Sequence, residues 1–268
     1  MEARNGFIFS GPRFNGPGFN GPRFNGSTLS CAALVLAGGQ SRRMGRDKAL
    51  LCHHGMPLLR YLVEVAHRCC DPVAVVTPWV DRYRSILPPE CGLIPETPAP
   101  WAAAQASSGP LWGFHHGLSG LAMLPEAADR AMGNPLEVPP WVLLLACDLP
   151  RLTPAILHRW MLQLSALPPQ TLALLPPNPK GWDPLCGFYH RDCGPLLDEF
   201  LRGADGGGEK SEGSGVGGRS GLPKGSGRSV SFQSWLRQPT IAPRIAPLTV
   251  VDRSVLLNCN TPADWQGV

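Results

Sequence analysis

Two stretches of the chain are short and almost wholly apolar, Cys31–Ala37 and Trp141–Ala146. A short apolar run bounded by polar residues reads as a strand buried on both faces, the environment of the centre of a parallel sheet. Val73–Thr77 and Thr171–Leu175 repeat the pattern more weakly. Between these runs the apolar residues fall at intervals of three and four. Pro57–Cys69 and Pro154–Leu164 show this helical spacing, and each begins at a proline suited to a first turn. Pro195–Leu201 and Val230–Leu236 read as further amphipathic helices. Strand then helix, repeated, predicts an α/β fold: a doubly wound, mostly parallel sheet with helices on both faces, in three α/β/α layers.

The pattern fails in two places. Residues 11–25 repeat Gly-Pro-Arg-Phe-Asn, Gly-Pro-Gly-Phe-Asn, Gly-Pro-Arg-Phe-Asn, with neither helical nor strand periodicity, so 1–30 is expected to be a disordered tail. Gly203–Gly227 consists of Gly, Ser and isolated charges between two amphipathic stretches, and reads as a flexible insertion at 203–227. These segments hold much of the excess in a chain with 31 Gly and 30 Pro. At 268 residues the length admits one large α/β domain or two small ones. Because both flanks of the insertion look helical, one domain, 31–268, is expected.

Composition narrows the function. The net charge is +4, and residues 1–30, with Arg4, Arg13 and Arg23 against Glu2, carry half of it. A nearly neutral folded part argues against a nucleic-acid binder with a broad basic face, while leaving room for a local polyphosphate pocket. The nine cysteines contain no C-x-x-C pair, which argues against a zinc site or disulfide framework. No apolar run approaches the roughly 20 residues that span a bilayer, so no membrane is expected and the reducing cytoplasm is the expected compartment.

In sheets of this kind, ligands bind beyond the carboxyl ends of the strands. After Cys31–Ala37, Gly38 and Gly39 let a ligand approach the backbone and leave N–H groups to face phosphate oxygens. Arg42, Arg43, Arg46 and Lys48 then put four cations into seven residues. This is neither the Walker loop nor the dinucleotide turn, and by spacing alone it could be a solvated loop. After the second apolar run comes Asp148, placed to hold a hydrated Mg²⁺ against phosphates. A helix cap would be its ordinary alternative, but Thr153 is better placed to cap. His53–His54 and His115–His116 are adjacent pairs that share no helical face and make poor chelates. Cys147 reads as a small buried side chain.

The stretch Leu-Ala-Gly-Gly-Gln-Ser-Arg-Arg-Met-Gly-Arg-Asp-Lys, Leu36 to Lys48, resembles the N-terminal motif of the molybdenum cofactor guanylyltransferases, a branch of the NTP-transferase superfamily with a Rossmann-like fold. Met56-Pro57-Leu58-Leu59, Gly109-Pro110-Leu111-Trp112-Gly113, Ala146-Cys147-Asp148-Leu149-Pro150, Asp183-Pro184-Leu185 and Asn258-Cys259-Asn260-Thr261-Pro262 follow in the family's order. The resemblance covers about 31–268 apart from the insertion. It implies GMP transfer from GTP to molybdopterin with release of pyrophosphate. Leu36, Ala37 and Gly38 would meet guanine and ribose through main-chain groups, and Gly39 and Arg43 would join the GTP site. Lys48 would neutralise phosphate charge, and Asp148 would bind Mg²⁺. Glu96 stands where the family usually has aspartate.

Asn258 and Asn260 would contact the pterin, with Asn260 or Thr261 also capping the last helix. Asp183 stands where relatives often have histidine and receives no role. Gly-Gly at 38 and 39 is similar to the guanylyl form, where cytidylyltransferases commonly carry Ala-Gly. The resemblance also implies other molybdenum-cofactor biosynthesis proteins and apo-molybdoenzymes as partners. A molybdopterin cytidylyltransferase, a sugar-phosphate nucleotidyltransferase and a non-catalytic cofactor-delivery adaptor stay open as alternatives.

Overall fold

The computed structural model describes residues 30–39, 41, 44–99, 109–124, 139–205, 230–259 and 261–266, together with a short antiparallel pair, Arg23–Phe24 with Ser27–Thr28. The rest of the expected tail, and residues 206–227 of the expected insertion, lie outside these residues.

Seven strands form the central sheet: β1 Cys31–Leu36, β2 Val73–Thr77, β3 Gly92–Pro95, β4 Trp141–Ala146, β5 Ala173–Leu175, β6 Cys186–His190 and β7 Ile245–Pro247. Their order across the sheet is β7-β5-β6-β4-β1-β2-β3. β1 lies parallel to β2 and β4, with Leu34 opposite Ala74 and Leu144. β6 is antiparallel to both its neighbours. The reason is local. The chain leaves β5 through a small hairpin, Pro177–Asn178 against Gly181–Trp182, and returns without the long crossover that a parallel neighbour needs. The edge strands β3 and β7 each end on a proline, Pro95 and Pro247, tolerated there because an edge needs no second donor.

The continuous apolar runs are explained by two separate cores. Ala33 and Val35 of β1, with Leu143 and Leu145 of β4, pack under α1 (Leu58–His67) and α4 (Pro154–Met161). Ala32 and Leu34, with Val142 and Leu144, face α3 (Pro110–Leu121), α5 (Cys193–Asp205) and α6 (Phe232–Leu236). Between β2 and β3 lies the one-turn α2, Val80–Arg84, and α7, Pro262–Gln266, follows β7. Every residue of a central strand therefore meets a hydrophobic layer. The predicted helices are found with shifted ends: α4 tightens into a 3-10 turn over Leu162–Ala166, and α5 runs two residues past the expected start of the insertion.

α3 is the helix that periodicity does not reveal. Gly113, Gly117 and Gly120 face the sheet, and a Cβ at Gly117 would stand 2.6 Å from Leu34 Cδ1. The missing side chains let the helix lie close over β1, β2 and β3. Among the described residues no helix is long and apolar enough to cross a membrane.

Candidate active site

The carboxyl ends of β4, β1, β2 and β3 form one edge, and those predicted site residues that the structure describes lie along or beside it. Leu36 is the last residue of β1, paired with Val76 and Ala146. The Ala37 N–H donates to the Val76 carbonyl at 2.9 Å. Thr77, fully buried, donates its hydroxyl to the Ala37 carbonyl at 2.9 Å and accepts from the Trp79 N–H at 3.1 Å. The Ala37 donor is thus spent within the fold, and what Ala37 can still offer a ligand is a second lone pair. The two glycines differ. A Cβ on Gly38 would stand 2.7 Å from Glu96 Oε2, so a side chain there would push the Glu96 carboxylate aside. A Cβ on Gly39 would meet nothing within 4 Å, so the chain's own packing imposes no such requirement.

The basic loop is braced from inside. Ser41 Oγ accepts from the Lys48 N–H at 3.2 Å, and the Ser41 carbonyl accepts from Met44 N–H at 3.0 Å. Asp47 caps the 3-10 turn Lys48–Leu50 by accepting from Ala49 N–H at 3.1 Å. Its other oxygen accepts from the Tyr83 hydroxyl at 2.8 Å and from Arg82 at 3.0 Å. Arg82 also lies over the Trp79 ring, 4.9 Å from its centroid. Gly39, Ser41, Gly45, Arg46, Trp79 and Arg82 line an open cleft of about 450 Å³ beside the loop. Sequence reasoning gave Asp47, Thr77 and Tyr83 no part, since their contacts cross from β1 to β2 and α2. Arg42 and Arg43 lie outside the described residues.

Across the β1–β4 seam, Lys48 Nζ reaches Asp148 Oδ2 at 3.4 Å, with both side chains largely buried. Asp148 sits in a turn two residues past β4, and the cap of α4 is Thr153, which accepts from Ile156 N–H. Burial raises the Asp148 pKa, and the Lys48 ammonium only partly offsets it. Asp148 Oδ1 is buried with no hydrogen-bond partner among the described residues. A buried hard oxygen short of positive charge fits a divalent cation that takes its remaining ligands from phosphate and water. Next to it, Cys147 is half-buried instead of buried, and burial pushes its thiol up to about 12, far from a nucleophile at neutral pH.

Glu96 follows β3, its N–H donating to the Thr77 carbonyl at 2.9 Å. Its carboxylate lies over Gly38 and close to Gly113 of α3, and burial raises its pKa. On the opposite flank, the Asp148 carbonyl accepts from Cys259 N–H at 3.2 Å, which brings the Asn258 segment beside the site with Asn258 exposed. Asn260 lies outside the described residues. Thr261 and Asp264 cap α7 reciprocally, at 2.7 and 3.3 Å. Asp183 is held by Asn178 at 2.5 Å and Arg253 at 3.3 Å. His53 is buried edge-on against Tyr61, 4.6 Å between centroids. His115 bonds Asp198 at 2.6 Å, and His116 meets Thr97 at 3.3 Å.

Residues 33–212 match the MobA-like NTP transferase domain. The chain is 39% identical over 232 residues to a protein of Nostoc sp. named "Probable molybdenum cofactor guanylyltransferase", covering 87% of each. To a protein of the same name from Synechococcus elongatus it is 36% identical over 240 residues, covering 90% of this chain and 98% of the relative. Among solved structures it resembles molybdopterin-guanine dinucleotide biosynthesis protein A of Archaeoglobus fulgidus, with a TM-score of 0.54 over 88% of this chain and 95% of that one. At 16% identity this last likeness is one of fold.

Proposed function

The chain belongs to the MobA-like NTP transferase family, and from that premise we propose that it transfers GMP from GTP to the molybdenum-bearing molybdopterin cofactor, forming molybdopterin guanine dinucleotide and releasing pyrophosphate. The observation that carries the reading is the Lys48–Asp148 pair, two residues a hundred positions apart that meet at the edge of β1 and β4.

The strand order supports the following layout. Glu96 beyond β3, with Gly38 and Gly39 beyond β1, offers acceptors and backbone groups to a nucleoside. The loop to Lys48, with Arg43, takes the triphosphate, and Asp148 stands at the α-phosphate. The Asn258 segment lies on the far side of Asp148, where the pterin would enter and where Asn258 and Asn260 would contact it. An anionic phosphate oxygen of the pterin forms a bond to the α-phosphorus of GTP while the bond to the pyrophosphate oxygen breaks in line. Since the attacking oxygen is already anionic, the protein's task is positioning and charge neutralisation, and no protein nucleophile is needed. Lys48 neutralises phosphate charge and the Asp47 bracing fixes the backbone that carries it. Asp148 would hold Mg²⁺, which when bound supplies further neutralisation and alignment of the phosphates. Gly39, free of any packing demand, leaves room for the nucleotide against the backbone. Apo-molybdoenzymes and other cofactor-biosynthesis proteins are the partners that this product implies.

The test is pyrophosphate release with molybdopterin as acceptor, compared across the four NTPs with Mg²⁺. GTP should be used well ahead of the others. A preference for CTP would make the chain a cytidylyltransferase, and no release with any NTP would leave the delivery adaptor.

A further inference from the structure

Glu96 lies on a segment fastened from two sides. On the inner side, its N–H is tied to the Thr77 carbonyl of β2. On the outer side, two side chains of α3 grip the residue that follows it. Trp112 Nε1 donates to the Thr97 carbonyl at 2.7 Å, and His116 Nε2 hydrogen-bonds Thr97 Oγ1 at 3.3 Å. Trp112 and His116 are four residues apart and so share a face of the helix. Gly113, one residue on from Trp112, lets the Glu96 carboxylate approach: a Cβ there would be 3.3 Å from Oε2. The grip is itself supported. The Trp112 ring stacks on His115, 5.1 Å between centroids and 19° between planes, and meets His116 edge-on at 4.8 Å. His115 is anchored in turn to Asp198 of α5.

We propose that Trp112 and His116 are positioning residues that hold the Pro95–Thr97 segment so that the Glu96 carboxylate points across Gly38 into the nucleoside site. The inference rests on the reading of Glu96 as a GTP ligand. It gives the otherwise unused His116, and Trp112 of the Gly109–Gly113 motif, a task in nucleotide binding that neither performs by touching the nucleotide.

The experiment is steady-state pyrophosphate release by the full chain for Trp112→Phe, which keeps an aromatic ring but loses the indole N–H, and for His116→Ala and His116→Asn. Trp112→Phe and His116→Ala should raise KM for GTP about three- to tenfold, the scale of one lost hydrogen bond, with kcat within about twofold of the parent. His116→Asn, which keeps a short side-chain donor, should recover most of the loss. Placed in a Glu96→Ala background, Trp112→Phe should add little, because the groups act through one carboxylate. An unchanged KM in both Trp112→Phe and His116→Ala, while Glu96→Ala raises it, overturns the positioning role and leaves the Glu96 reading standing. Additive losses in the Glu96→Ala background overturn it as well. If Glu96→Ala itself leaves KM for GTP unmoved, the nucleotide reading of Glu96 falls and takes this inference with it.

Discussion

Asp148 and Glu96 sit where ionisation costs more than it does in water, since burial is the first cause of the raised pKa of each. For a carboxylate whose folded pKa lies above its unfolded value, the folded state binds the proton more tightly. The penalty is therefore in full force at pH above the folded pKa and is gone once pH falls below the unfolded value, about 4. Glu96 has burial as its one resolved cause, so Glu96→Gln should raise Tm at pH 7 to 8, and the gain should shrink to nothing near pH 4, as read from thermal denaturation across that range. The same substitution should weaken GTP use, so stability and function would part at this residue. Asp148 is different because the Lys48 ammonium lies 3.4 Å from it and partly offsets the cost of burial. Asp148→Asn should lower kcat roughly a hundredfold or more, the scale of losing one major electrostatic stabiliser, in an enzyme that still unfolds cooperatively. Near-normal Mg²⁺-dependent turnover would remove Asp148 from the site. Lys48→Ala should also slow transfer with the fold intact.

At the scale of elements, what holds the site is the closeness of strands and helices, and glycine sets that closeness at several points. Gly187 in β6 is the strictest: a Cβ there would lie 2.8 Å from the Leu174 carbonyl oxygen and 3.4 Å from Leu175 Cα, backbone atoms that cannot turn aside. Gly187→Ala should cost about 1–3 kcal/mol, visible in denaturant unfolding as a lower midpoint with an unchanged slope. The same glycines account for what periodicity could and could not reveal. β1 and β4 were legible because both faces of each are buried, which makes the sequence continuously apolar. β6 carries glycine and a histidine, and the edge strands β3 and β7 are short and end in proline, so none presents the expected run. α3 hides because three of its sheet-facing positions are glycine, which reads as a breaker in sequence and serves as close contact in the fold.

Over the whole molecule, the candidate site residues lie across strand ends in the order that the topology dictates, and this decides which of them a sequence can disclose. Asp148 and the glycine loop were legible because each directly follows a buried strand. Their meeting follows from the pairing of β1 with β4, a contact between segments about a hundred residues apart that no local spacing encodes. The bracing of Asp47 by Tyr83 and Arg82, and the grip of α3 on the Glu96 segment, were hidden for the same reason. The layout has a kinetic consequence. Glu96 beyond β3 and Asn258 beside Asp148 lie on opposite flanks of the Lys48–Asp148 pair, so each should govern a different substrate. Glu96→Ala should raise KM for GTP by about tenfold and leave KM for molybdopterin within twofold, and Asn258→Ala should do the reverse, each by the scale of a lost hydrogen bond to a ligand. Initial-rate measurements with each substrate varied in turn would separate the two. Should both substitutions raise the same KM, nucleotide and pterin would share one flank, and the division of the edge into nucleoside, phosphate and acceptor regions would have to be redrawn.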